Sequence, residues 1–372
     1  MADYGNTSSN TALQRTIWST DMYVDAIDNL YFMRNGMMGK DSNNIVCVKE
    51  DLRTETGEKI VFGLKAKMAG LGVTGDGELE GNEEQINYYS EEVLVDQIRF
   101  GVRLKGKMDE QESVFNLRTD AKDSLSTCVT EFIERQFFLK LAGVTNTSLV
   151  DINGDAYSAY AGFANTPDYI PDADENAGYG SRYLCANAGG TTALSTTDKL
   201  TPRLIGRAKT KAMTAKPQVL PLMIKGKEYY VMFVHPWQAD DLREHPSFES
   251  AQREAQVRGD DNPLFTGALG VWKGVILHEH IYVPFLDISV AGNSFRGTAT
   301  GTDCAVDCFR ALLCGKQAAG YVKIKSIWEE ESFDYNNKQG FCAGMMGGIQ
   351  KMTFNSKEFG VIALDTYATP QQ

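Results

Sequence analysis

The sequence predicts an α+β fold: a long β-hairpin, one very long helix, then a mixed sheet with helices beside it. Three observations carry that prediction. Two stretches between residues 45 and 106 alternate apolar and polar side chains with period two. Residues 109–142 switch to apolar positions spaced by three and four. From residue 229 onward, short apolar runs recur between turn signals.

In chain order, residues 1–44 read as an arm. Asn6-Thr7-Ser8-Ser9-Asn10 is polar, and Ile17, Trp18, Tyr23, Ile27, Leu30, Tyr31 and Phe32 follow as a short helix-like apolar pattern ended by Asn35-Gly36. In residues 59–68, Ile60, Phe62, Leu64, Ala66 and Met68 share one face. In residues 97–105, Ile98, Phe100, Val102 and Leu104 do the same, so the two stretches are expected to pair as one antiparallel hairpin. Between them, residues 69–92 hold five glycines, seven acids and no Lys or Arg. A loop that long and charged is usually functional or mobile. A two-stranded hairpin is marginal alone, so its apolar face needs a partner.

Val114, Leu117, Ala121, Leu125, Val129, Phe132, Ile133, Phe137 and Leu141 predict a helix of about 30 residues stopped by Gly143. Residues 143–200, rich in Gly, Ala, Thr and Asn, read as irregular surface structure. Residues 201–227 carry seven bases and no acid, and a helix is expected after Pro202. Residues 229–234 read as a buried strand, residues 237–244 as a helix, and residues 270–283 as two strands or one bent one. Residues 305–316 read as helical, residues 318–325 as running from that helix into a strand, and residues 359–366 as a final strand.

Composition narrows the function. The 372 residues make two domains or one elaborated domain, and 42% hydrophobic content suffices for a core. No apolar run approaches about 18 residues, so no membrane span is expected. The first residues show no secretory signal. A net charge of −12, from 37 bases and 49 acids, disfavours a sequence-reading DNA-binding role. Seven scattered cysteines read as reduced thiols of a cytoplasmic product.

The motifs that resemble chemistry are weak. Gly70-Leu71-Gly72-Val73-Thr74-Gly75 spells GxGxxG, but helix-breaking, acidic sequence follows where a phosphate-binding helix should start. Asp151 to Asp155 resembles the start of a calcium loop but has Gly162 where the bidentate Glu belongs. His278 and His280 alternate onto one strand face, as metal ligands or as hydrogen-bonded structural groups. Cys304, Cys308 and Cys314 fit core packing better than zinc. No catalytic residue, cofactor or metal is expected.

The order of parts, with several strings, resembles the tailed-phage major capsid protein of the Hong Kong 97-type fold, in its podovirus-type family. The strings are Gly75-Asp76-Gly77-Glu78-Leu79-Glu80-Gly81-Asn82-Glu83-Glu84, Val95-Asp96-Gln97-Ile98-Arg99, and His235-Pro236-Trp237-Gln238 with Asp241-Leu242-Arg243. Further along are residues 262–270, Val275-Ile276-Leu277-His278-Glu279 and Phe359-Gly360-Val361-Ile362-Ala363-Leu364-Asp365. The resemblance implies an N-terminal arm (1–44), an extended hairpin loop over the neighbouring subunit (45–106), and a peripheral domain with a spine helix and an irregular insertion (107–200). It also implies an axial domain (201–345) and a C-terminal return to the peripheral sheet (346–372).

The implied function is a non-enzymatic shell subunit. It would form hexamers and pentamers around double-stranded DNA without sequence-specific binding, assembled in the host cytoplasm and resident in the virion. Portal, separate scaffolding and decoration proteins are the implied partners. The alternatives are a cellular nanocompartment shell and a nucleotide-dependent enzyme using residues 70–75. Candidate intersubunit contacts are Phe62, Leu64, Phe100 and Val102 on the hairpin face, Glu78, Glu80, Glu83 and Glu84 in its loop, Trp18 in the arm, and Arg203 and Arg207 on the basic helix.

Overall fold

The computed structural model describes residues 30–50, 57, 59–65, 72–78, 80, 83, 86, 88–113, 116–144, 182–255, 268–287, 304–335, 337–354 and 357–369. Trp18, Glu84 and the calcium-like string lie outside the described residues.

Helix α1 (Tyr31–Arg34) ends at Asn35, and Gly36 follows at φ +64°. Leu30 and Phe32 are fully buried in the chain's own core. The expected arm is therefore anchored inside the molecule from residue 30. Strands β1 (Met38–Gly39) and β2 (Val46–Lys49) pair in parallel. Strand β3 (Lys59–Lys65) pairs antiparallel with β4 (Tyr88–Leu94). Only Val95 separates β4 from β5 (Asp96–Arg103).

The expected pairing of residues 59–68 with 97–105 is thereby corrected. The hairpin closes between β3 and β4, whereas β5 enters a different sheet. Alternation reports which side of a strand is buried, not which strand lies beside it.

Helix α2 (Lys107–Glu112) precedes α3 (Leu117–Ala142), whose 26 residues span about 39 Å. The Asn116 side chain caps α3 by accepting from the Thr119 amide, so the long helix starts there and not at residue 109. Gly143, at φ +64°, closes it in the left-handed conformation that favours glycine. From Arg135 to Ala142 every α3 residue is buried, because that end plunges between the two main sheets.

After residue 182 come β6 (Tyr183–Cys185), α4 (Pro202–Thr214), β7 (Leu222–Ile224) and β8 (Lys227–Val234). Next are α5 (Pro236–Arg243), α6 (Pro246–Ala255), β9 (Ala268–Trp272), β10 (Val275–Glu279) and β11 (Phe285–Leu286). The chain ends with β12 (Cys308–Cys314), β13 (Ala319–Phe333), β14 (Lys338–Lys351), β15 (Thr353–Phe354), β16 (Lys357–Glu358) and β17 (Val361–Thr366).

A five-stranded sheet runs β1-β2-β13-β14-β5 beside α3. A second sheet runs β6-β17-β12-β8-β10-β9, with β11 and β7 appended. Its central strands β12 and β17 are buried on both faces. One face carries Phe233 and Leu312 toward α3, and the other carries Met232, Leu313 and Leu364 toward α4, α5 and α6. Phe32 sits in the junction, its ring 5.2 Å from Phe137, 5.4 Å from Phe138 and 5.4 Å from Phe233.

This layout corrects four further expectations. Residues 308–314 form a strand and not a helix, since an apolar run buried on both faces has no readable period. Residues 319–333 are strand throughout. Residues 183–185 form an edge strand of the larger sheet, so the region expected to be irregular surface contributes to the core. The last strand, β17, lies between β12 and β6 and does not return to the sheet beside α3; β14 occupies that place instead.

Candidate intersubunit surface

The hairpin has a buried side and an open one. Ile60 and Phe62 pack on Val93, Val322, Met352 and Phe359 of the same chain. Lys49 Nζ lies 4.5 Å from the centre of the Phe62 ring. Gly320 makes room for this contact: a Cβ there would sit 2.4 Å from Met352 Cε and 3.0 Å from Phe62 Cζ. Leu64 packs, half-buried, at the edge of this cluster. Phe62 was expected to face a neighbouring subunit, but it is covered by its own chain.

Phe100 and Val102 project from β5 toward α3, with the Phe100 ring 5.5 Å from that of Phe132. Both are half-buried there, so part of each side chain packs within the chain. The physical reason is that β13 and β14 form a broad sheet with buried apolar positions the sequence pattern did not reveal, and α3 and the hairpin root both pack on it.

On the open side lie Val61, Tyr88 and a loop whose described residues, Gly72 to Glu78, Glu80, Glu83 and Ile86, are all exposed. Gly75 turns the chain at φ +64°, and among the described residues of this loop there is no helix to receive a phosphate. Gly70 and Leu71 lie outside the described residues, and Gly72 to Glu78 pass through a turn without the helix start that the chemistry of the GxGxxG spelling requires.

The basic helix forms a second open surface. Thr201 caps α4, Pro202 starts it, and Leu204, Ile205, Ala208 and Ala212 fix its buried side. That leaves Arg203 and Arg207 exposed one turn apart. They line a groove of about 1060 Å³ with His245, Trp272 and Lys273, and none of the residues lining it is acidic. Lys209 Nζ donates to the carbonyl of Lys273 at 2.5 Å and ties the β9–β10 turn to the helix. Sequence reasoning missed Trp272, Lys273 and His245. The Lys273-Gly274 pair between two strands, with φ of 49° and 81°, was the turn signal that placed Trp272 and Lys273.

The histidine pair is structural. The Tyr31 hydroxyl and His278 Nδ1 share a hydrogen bond of 2.7 Å, and the Tyr31 amide donates to Glu134 Oε1 at 2.6 Å. His280 stacks on Phe138 at 4.4 Å. Burial pushes His278 and His280 down to about 4, so both are neutral near pH 7. The 3.8 Å approach of His280 Nε2 to Glu134 Oε2 is accordingly no ion pair at that pH. Among the described residues no group of three His, Cys, Asp or Glu side chains could hold a metal.

Cys304, Cys308 and Cys314 are buried free thiols. Burial pushes Cys314 up to about 12, which suits core packing. Across β12 and β17, Arg310 donates to both oxygens of buried Asp365, at 2.8 and 2.7 Å. Burial opposes the guanidinium's charge, but the carboxylate outweighs it and raises the pKa of Arg310.

Comparison with known proteins accounts for this arrangement of parts. The family model described as phage capsid protein matches residues 6–370. The major capsid protein of Pseudomonas phage KPP25 is 30% identical over 378 residues, covering 97% of this chain and 96% of that relative. The capsid of Ralstonia phage GP4 aligns with a TM-score of 0.76 at 27% identity, over 92% of each chain. The Cyanophage Pam1 capsid asymmetric unit aligns at 0.67 and 23% identity, over 90% of this chain and 91% of that one. Such neighbours have the Hong Kong 97-type fold, and the expected fold class holds. The nanocompartment and nucleotide-enzyme alternatives give way to the capsid reading. With a single family model spanning almost its whole length, the chain belongs to the phage capsid protein family.

Proposed function

We propose that this chain is the major capsid protein of a tailed phage and self-assembles, as hexamers and pentamers, into a closed icosahedral shell around double-stranded DNA. The observation that carries this is the end-to-end likeness to phage capsid chains, in sequence and in fold. The open side of the hairpin and the basic groove fit a subunit that contacts copies of itself through unlike surfaces, as rings require. Its role is structural, so no turnover is expected. The five-stranded sheet with α3 serves as the peripheral domain, so that residues 319–351 belong to it and not to an axial domain running to 345, and the larger sheet with α4 to α6 serves as the axial one. Assembly takes place in the host cytoplasm with separate scaffolding and portal proteins, and decoration proteins would bind the finished virion.

Electron microscopy and sedimentation of the purified protein test the reading. Capsomers or megadalton particles are expected; a persistent monomer at high micromolar concentration would overturn it.

A further inference from the structure

We propose that the basic groove on α4 of one copy receives the acidic loop, residues 72–83, of a neighbouring copy. The inference rests on the shell reading and names the two surfaces that meet.

The complementarity is twofold. The groove presents Arg203, Arg207 and Lys273 with no acid among its lining residues, and it exposes Met213 and part of Trp272 between these cations. The loop presents Asp76, Glu78, Glu80 and Glu83 with no base from residue 69 to 92, and it exposes Val73 just before these acids. Charge therefore meets opposite charge, and each surface brings apolar area to cover the other's. Both are held from behind. Phe62 pins the hairpin root, while the Lys209 contact and the buried side of α4 pin the groove.

Residues 66–87 join β3 to β4, so each limb of the loop reaches at most about 35 Å beyond the hairpin, enough to cross onto an adjacent subunit. Every copy carries one loop and one groove, so each would give one contact and receive one around a ring. Packaged DNA is also a polyanion, but it has no apolar side chains to place against Met213 and Trp272.

The test is a charge swap in the full-length chain, read as particle yield by sedimentation. R203E with R207E, and separately E78K with E80K, should each lower yield about tenfold or more. All four together should return yield to within about threefold of wild type, because the contact is restored with its sign reversed. Subunit melting temperature should stay unchanged; if charge reversal lowers it, Arg203→Gln with Arg207→Gln replaces that pair.

Wild-type yield from either double variant, or no recovery in the quadruple, would overturn the contact. Normal particles that have lost only packaged DNA would assign the groove to nucleic acid and overturn it too. Failure of the wild-type chain to form particles would instead count against the shell reading.

Discussion

Tyr31 fastens the start of the described chain to the centre of the molecule through Glu134, His278 and a T-shaped contact with His280, whose ring lies 4.5 Å away. The histidines beside it make this junction sensitive to acid. Their folded pKa values lie near 4, below the ordinary value of 6.5, so the unfolded chain binds more protons between those limits. Stability present above pH 6.5 is therefore lost as pH falls toward 4, at up to roughly 1.4 kcal/mol per pH unit for each histidine. Glu134 acts in the opposite sense, since burial raises its pKa. Replacing His280 by Phe, which can keep the stack on Phe138, should flatten the pH dependence by about one proton. Urea midpoints from pH 7.5 to 4.5 measure this, and slopes equal to wild type would show that His280 is not held neutral.

At the level of elements, the hairpin root and loop divide the work. Truncating Phe62 to Ala should destabilise the chain by about 3 kcal/mol, because a ring seated over Gly320 leaves a cavity. Truncating Tyr88, which is 71% exposed, should cost almost nothing. Denaturant unfolding of the two variants separates them. This pair also shows where sequence patterns stop. Ile60, Phe62 and Leu64 announced a buried face correctly, but nothing local said that residues of the segment 319–359 would cover it. Those residues were opaque because Gly344, Gly347 and Gly348 interrupt the apolar pattern of β14. The glycines sit where a Cβ would meet backbone oxygens of Ile98, Val322 and Leu94. The long helix was more legible, since its stripe, its Gly143 stop and its charged flank all lie within one segment. Arg203 and Arg207 were legible for the same reason. Lys273 and His245 were not, because three segments distant in sequence build the groove.

For the whole molecule, the prediction concerns the separation of fold from assembly. Replacing residues 70–87 with a short Gly-Ser turn leaves β3, β4 and their packing intact. The subunit should keep its melting temperature to within a few degrees while particle yield collapses. Calorimetry and sedimentation on one preparation check both halves; undiminished particles would remove the loop from assembly. The opposed charges follow the same division: −12 overall hides an acidic loop and a basic helix on separate parts of the surface.

The sheet order has a kinetic consequence. Asp96 pairs with Gly347, Val46 with Ala319, and Leu184 with Leu364, so both sheets are stitched from segments far apart along the chain. Such pairings require closing very long loops before any contact rewards them, which makes folding slow. Strand β17, seated in the interior of its sheet, follows all of its partners in the order of synthesis. A ribosome must therefore pass residue 366 before that sheet can be complete. Nascent chains would be kept from joining a growing shell half-made, and the supply of finished subunits would be set by loop closure as much as by translation.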